Sequence, residues 1–191
     1  MIILRVENEM MSRISHQKFS FSLGQPGEAT ACYVTDGTET EFELSNVCNP
    51  LADMLMAMAS LVTNPAQLWD GSNTAAFTWY SEKESYDWTL TAMHDGALCI
   101  RVTQSCEFFG EDEVEVVNGE CDIEEFIACV TREMDRFIKT VGLLNYHQQW
   151  QTGEFPLTYF LILKKHLIDQ DLWGESEDGA TLSDETRLML C

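Results

Sequence analysis

Basic side chains are scarce in this chain. Its 191 residues include 11 Lys and Arg against 32 Asp and Glu, a formal charge of −21. A surface of that sign repels nucleic-acid phosphates and anionic membranes, and it attracts cations and basic proteins. Long apolar runs are also missing. The longest, LTYFLILKKHLI at residues 157–168, is interrupted by two lysines and falls short of the roughly 20 residues that a membrane span requires. The opening MIILRVENEMM has too short an apolar run and the wrong charges for a secretory leader. The seven cysteines are odd in number and contain no C-x-x-C pair. A disulfide framework is therefore not expected, and the thiols are read as reduced, as in a cytoplasmic protein.

Signatures of catalysis are lacking as well. There is no G-x-G-x-x-G, no P-loop, no H-E-x-x-H and no G-x-S-x-G. The histidines at 16, 94, 147 and 166 are scattered. His94 has Asp95 only as a neighbour in a tight turn, and His147 lies in YHQQW; a catalytic imidazole needs a nucleophile and an orienting group converging on it. Cys121 and Cys129 have no histidine at zinc-ligand spacing. The expectation is no catalytic residue, no cofactor and no metal.

What is present is a globular pattern, with 45% hydrophobic and 10% aromatic residues, enough for a real core. Residues 13–23 alternate through Ile14, Phe19, Phe21 and Leu23, as a half-buried strand does. ATACYVT and TETEFELS flank Asp36-Gly37, a hairpin signal, with Glu39, Glu41 and Glu43 on the water side. Asn49-Pro50 predicts a helix start, followed by Leu51, Met54, Leu55, Met58, Leu61 and Val62 at helical spacing, until Asn64-Pro65 ends it. AAFTWYSE, SYDWTLTAM and ALCIRVTQ predict three more strands, and EVEVV a further one near a sheet edge. Asp122, with Glu125 three residues on, predicts the cap of a long helix running to Gly142. Phe155-Pro156 opens another through Leu157, Phe160, Leu161 and Leu167, and LSDETRLMLC predicts a short amphipathic one. Short turns between strands imply antiparallel pairing. The expected fold is α+β in two layers, a mostly antiparallel sheet with helices packed on one face, over a single domain of residues 1–191 with a flexible acidic segment at 170–180.

The charge is unevenly spread. Residues 1–65 carry 3 basic and 8 acidic side chains, residues 66–126 carry 2 and 14, and residues 127–191 carry 6 and 10. The middle third is densest in CEFFGEDEVEVVNGECDIEEF, residues 106–126. An EF-hand register from Asp112 fails, because Val114, Val116 and Val117 fall where oxygen ligands and glycine belong. Asp122 and Glu125 have helix-capping duties. Glu107, Phe108, Phe109, Glu111, Asp112, Glu113 and Glu115 have no such local reason, so they are the candidate partner-binding residues: acids for steering, aromatics for anchoring. Solvated surface is the competing account of the same run.

Trp88-x-Leu90, then Asp95-Gly96-x-Leu98-x-Ile100-x-Val102, the long helix, Gly142, Tyr146, Trp150, Phe155-Pro156 and Leu161 form a cadence over residues 75–165. It resembles small acidic bacterial immunity proteins of contact-dependent and other polymorphic toxin systems, and related uncharacterised proteins. The resemblance implies a cytosolic α+β protein without catalytic residues, and it carries over no functional residue. The expected function is a non-catalytic acidic binding protein: an immunity protein that occludes the active site of a basic toxin such as a nuclease, whose phosphate-binding surface an acidic face would oppose. The rivals are a DNA-mimicking inhibitor using ladders such as Glu39, Glu41 and Glu43, an enzyme with a site at His94 or His147, and a scaffold protein.

Overall fold

The computed structural model describes residues 17–66, 71–106 and 113–174. Their order is β1 (Lys18–Leu23), β2 (Glu28–Thr35), β3 (Thr38–Ser45), α1 (Pro50–Thr63), β4 (Ser72–Tyr80), β5 (Glu84–Met93), β6 (Ala97–Cys106), β7 (Val114–Asp122), α2 (Ile123–Val141), α3 (Leu143–Trp150) and α4 (Leu157–Asp169). This is an α+β fold, and every strand pairing is antiparallel. The strands divide between two sheets, β1-β2-β3 and β4-β5-β6-β7. The sheets are separated in the chain by α1, and Ser45 Oγ links them by donating to the Tyr80 carbonyl at 3.3 Å.

The alternation read from the sequence decides which faces meet. Phe19, Phe21, Tyr33, Phe42 and Leu44 are buried from the first sheet, and Trp79, Trp88, Leu90, Ile100 and Val102 from the second. Phe42 sits at the junction, with its ring centroid 5.6 Å from Trp79, 5.1 Å from Tyr86 and 5.1 Å from Trp88. The contacts to Trp79 and Tyr86 are edge-to-face, and such pairs add ~0.5–1.5 kcal/mol each beyond the area they bury. Asp36 (φ 51°) and Gly37 (φ 77°) form the β2–β3 turn. Two successive positive φ values are what a two-residue hairpin loop needs to match the strand twist.

The helices close the core. Asn49 accepts the Ala52 N–H at 3.2 Å and caps α1, which packs on β4 and α4. The Trp79 indole donates to the Pro50 carbonyl at 2.9 Å. Asp122 Oδ1 accepts the N–H groups of Glu124 and Glu125 at 2.9 and 3.1 Å, so β7 passes directly into α2. Gly142, at φ 81°, ends α2 as expected, with its N–H on the Ile138 carbonyl.

α2 also covers the free edge of β1. The Phe21 N–H donates to Glu133 Oε1 at 3.0 Å, and Arg136 holds that carboxylate through Nε and Nη2 at 2.7 and 2.6 Å. The Cys129 thiol donates to the Gln17 carbonyl at 3.7 Å. Side-chain partners thus occupy backbone groups that would otherwise template another strand.

Three details differ from the sequence reading. LLNYHQQW is helical as α3, with Tyr146 and Trp150 inward; its two inward residues are one i,i+4 pair, too few for periodicity to register. On α4 the buried stripe is Phe160, Leu163 and Leu167, while Leu157 and Leu161 are exposed. That run is apolar on all sides, so the pattern does not say which side packs. The chain beyond α4 turns back: Leu172 N–H donates to the Leu167 carbonyl at 2.8 Å, and Lys164 Nζ lies 4.8 Å from the centroid of buried Trp173. Residues 13–16, LSDETRLMLC and the acidic residues 175–180 lie outside the described residues.

Candidate partner-binding surface

Glu107, Phe108, Phe109, Glu111 and Asp112 lie outside the described residues. Glu113 and Glu115 are exposed at the start of β7, the edge strand that EVEVV predicted. The β6–β7 register shifts between Val102 and Thr103. Val116 is the extra residue there, since Val117 pairs with Val102 and Glu115 with Thr103. A bulge reverses the inside–outside parity of the strand beyond it. Odd-numbered Glu115 therefore shares the outer face with even-numbered Asn118 and Glu120, which pair with Arg101 and Cys99. Glu115 is engaged within the chain: its Oε2 lies 2.9 Å from Arg101 Nε, and Asn118 Nδ2 donates to Oε1 at 2.7 Å.

A second acidic tract stands on β3. Glu39, Glu41 and Glu43 all project outward, opposite Val34, Cys32 and Thr30 of β2. Alternate residues of a strand lie about 6.8 Å apart, so the three carboxylates form an evenly spaced row. No Lys or Arg pairs with any of them among the described residues. Their field is felt by the neighbouring thiol. Cys32 donates to Glu39 Oε1 at 3.2 Å, and its pKa is pushed up to about 11 by burial first, then by the hydrogen bond and charge of Glu39 and the charge of Glu41.

The row leads into a cleft of about 550 Å³ between the end of β3 and the β4–β5 turn. Glu28, Glu43, Glu82 and Glu84 line it with Lys83 as its one cation. The Tyr86 hydroxyl donates to Glu84 Oε2 at 2.7 Å. Burial, then Glu84, then Glu43 hold that phenol well above its usual pKa. The sequence analysis found the β3 row and missed the cleft. Glu28, Glu82 and Glu84 are spread over two chain segments, and only the packing of the sheets brings them together.

The three described histidines fall in three settings, and His16 lies outside the described residues. His94 is exposed in the β5–β6 turn, with its N–H toward the Gly71 carbonyl at 3.4 Å. His147 is exposed on α3. His166, on α4, has Nε2 2.8 and 2.9 Å from the two carboxylate oxygens of Glu124, a pair that joins α4 to the first turn of α2. Nothing in the spacing of residues 124 and 166 announced it.

A groove of about 1000 Å³ runs between β1 and α2, lined by Lys18, Cys32, Glu39, Glu125, Arg132 and Glu133 among others. Its signs are mixed, and the ion pair of Glu133 with Arg136 forms part of its wall. No helix among the described residues is long and apolar enough to cross a membrane. No known protein family, no curated protein and no solved structure matches this chain.

Proposed function

We propose that the protein is a non-catalytic acidic binding protein, an immunity protein that neutralises a basic toxin by occluding its active site. The observation that carries this reading is the carboxylate row of Glu39, Glu41 and Glu43, without a Lys or Arg partner among the described residues, opening into the cleft of Glu28, Glu82 and Glu84. A carboxylate row without internal cations keeps its field for an outside one, and such a field steers cationic partners and raises association rates by ~10–10³-fold. Glu115 of β7 and Glu113 just before it form a second acidic edge, weaker because Arg101 answers Glu115. A nuclease toxin is the partner that this surface opposes most directly, since its substrate site must attract phosphate.

Co-expression with the product of the adjacent reading frame tests the proposal. Protection of cells from a basic toxin, lost when Glu39, Glu41 and Glu43 are changed together to Gln, supports it. Full protection by that triple variant removes the β3 row from the interface, and failure of the wild-type chain to protect or bind overturns the immunity reading. A DNA-mimicking inhibitor is the second reading, favoured by the even spacing of the row. Competition of the protein with duplex DNA for the same partner separates the two.

A further inference from the structure

The two sheets end in four outer strands, β1, β3, β4 and β7, and an outer strand carries a row of backbone N–H and C=O groups that its own sheet does not pair. β1 gives its Phe21 N–H to Glu133 and is covered by α2. β7 is bulged at Val116, which breaks the flat edge that another strand would need. β4 has α1 packed on it, its Tyr80 carbonyl takes the Ser45 hydroxyl, and no residue of Ser72–Tyr80 is charged. β3 differs on each count: its eight residues follow β2 in one unbroken register and carry three acids. The turn at Asp36-Gly37 fixes which of its amides face outward. Thr35 and Thr38 flank that turn and exchange both of their backbone hydrogen bonds, as the flanking pair of a two-residue hairpin does. By alternation Thr40 and Phe42 also bond to β2, while Glu39, Glu41 and Glu43 turn their N–H and C=O groups to the open side. The Tyr86 hydroxyl lies beside the Glu43 backbone. The open-side groups of Glu39 and Glu41 meet no partner among the described residues.

The carboxylate row and the open backbone edge therefore belong to the same residues. An open edge recruits a strand, and the row selects which one. A second copy of β3 would set glutamate against glutamate, and like charges directly opposite each other destabilise a pair. A strand with Lys or Arg at alternate positions sets a cation against each acid at the same ~6.8 Å repeat. We propose that the basic partner docks by adding an extended strand antiparallel to the free edge of β3, its alternate Lys or Arg residues exchanging backbone hydrogen bonds with Glu39 and Glu41 and pairing with their carboxylates. This rests on the reading of β3 as the docking side and names the mode of contact there. A cation opposite Glu43 stands at the cleft that Glu43 lines with Glu28, Glu82 and Glu84. The backbone bonds hold the partner in one register, which steering by charge alone does not.

A synthetic peptide of alternating lysine and threonine tests the strand without any toxin, with amide exchange followed by NMR in the full chain. The Glu39 and Glu41 amides are expected to exchange fast in the free chain and to be slowed by the peptide. Amides already protected in the free chain would mean that another segment or a second copy fills the edge, and would overturn the proposal. Two further peptides carry the same charge, one N-methylated at every lysine and one at every threonine. The lysine amides face β3 in the proposed pairing, so the first is expected to bind ~10-fold or more weakly than the second. Equal binding of the two overturns strand addition and leaves the acidic-surface reading standing, because charge alone then accounts for the contact. No binding of the unmodified peptide at low salt overturns it as well. In the chain itself, Glu41→Pro removes the outward N–H and Glu41→Gln keeps it; proline is tolerated where the N–H of an edge strand faces away from its sheet. Glu41→Pro is expected to bind the peptide ~3-fold or more weakly than Glu41→Gln, with circular dichroism verifying that both are folded, and equal affinities count against the proposal. The pair of methylated peptides decides the matter on the wild-type chain alone. The co-expression assay reports separately on immunity: a wild-type chain that gives no protection removes that reading whatever the peptides do.

Discussion

On α2 and α4 three carboxylates meet Lys or Arg. Asp135, 8% exposed, pairs with Lys139 and with Lys164 at 3.3 Å; Glu133 holds Arg136; Asp169 holds Lys165 at 2.5 Å. On the outer side of β3, Glu39, Glu41 and Glu43 meet none among the described residues. Four of the chain's 11 basic residues thus serve ion pairs within the helical layer. Among the described residues, the sheet surfaces are left with Lys18 at one end of β1, Lys83 in a turn, and Arg101. Both arrangements follow from placement. A carboxylate inside a helix interface must be answered, because leaving it unpaired costs several kcal/mol. A carboxylate on an edge strand is solvated, costs little alone, and adds to its neighbours' field. Among the described residues, the outward negative field is therefore strongest on β3, while the helices use charge within the fold.

The largest test of that contrast is at Asp135. Asp135→Ala removes the carboxylate that Lys139 and Lys164, 29% and 17% exposed, share between α2 and α4. It is expected to lower unfolding free energy by about 3 kcal/mol in urea titration. Glu41→Ala on the β3 row is expected to leave stability unchanged or raise it slightly, by relief of repulsion between like charges. If the two variants melt alike, charge is not partitioned between the layers as described.

A smaller effect is expected at Asp122, an acid of the dense middle third whose duty is structural. Asp122→Ala removes the acceptor for two amides and should cost about 1 kcal/mol. Asp122→Asn, which keeps an acceptor oxygen, should recover most of it. A loss that Asn does not recover would point to charge at the helix dipole in place of the cap.

Alkaline pH probes the β3 row through Cys32. Its thiol is pushed from 9.0 up to about 11 in the folded chain. A raised folded pKa means that the folded state binds the proton more tightly, so the contribution is complete below pH 9 and is lost as pH rises through about 11. Cys121, pushed up to about 12 chiefly by burial, extends the decline. Cys32→Ala is expected to flatten the pH dependence of the melting temperature between pH 9 and 11. Neutralising Glu39 and Glu41 should narrow it by lowering the Cys32 pKa, because both acids contribute to the shift. A Cys32 titration that ignores both glutamates would show that burial alone sets it.

Legibility in the sequence followed the same divide. Alternation gave TETEFELS at the observed bounds, and Asn49-Pro50 and Asp122 gave both long helix starts, since each rests on interactions within a few residues. The β3 row was visible for the same reason. The Glu28–Glu82–Glu84 cleft was not, because it is assembled from separate hairpins. Nor was the Glu115–Arg101 pair, because the bulge at Val116 moves Glu115 to a face that simple alternation does not assign with Asn118 and Glu120. Density of acid drew attention to residues 107–115; density does not reveal which carboxylates are already answered.

Arg101 carries the smallest stability effect and the finest discrimination. It is 64% exposed and its partner Glu115 41%, so Arg101→Gln is expected to change unfolding free energy by no more than about 1 kcal/mol, the range of surface pairs. Its electrostatic effect is larger in proportion. Removing that cation leaves Glu115 without its cationic partner on the outer face of the sheet, where Asp87 of β5 is the next acid across Thr103. The two acidic tracts would then become alike. Association with a basic partner should quicken in Arg101→Gln at low salt, by roughly 2–10-fold, and return toward the wild-type rate as salt screens both tracts. A partner that docks on β3 alone would show only the smaller, long-range part of that gain, and one that docks on β7 would show nearly all of it. The ratio of the Arg101→Gln gain to the loss in the Glu39, Glu41, Glu43 triple Gln variant therefore locates the docking side.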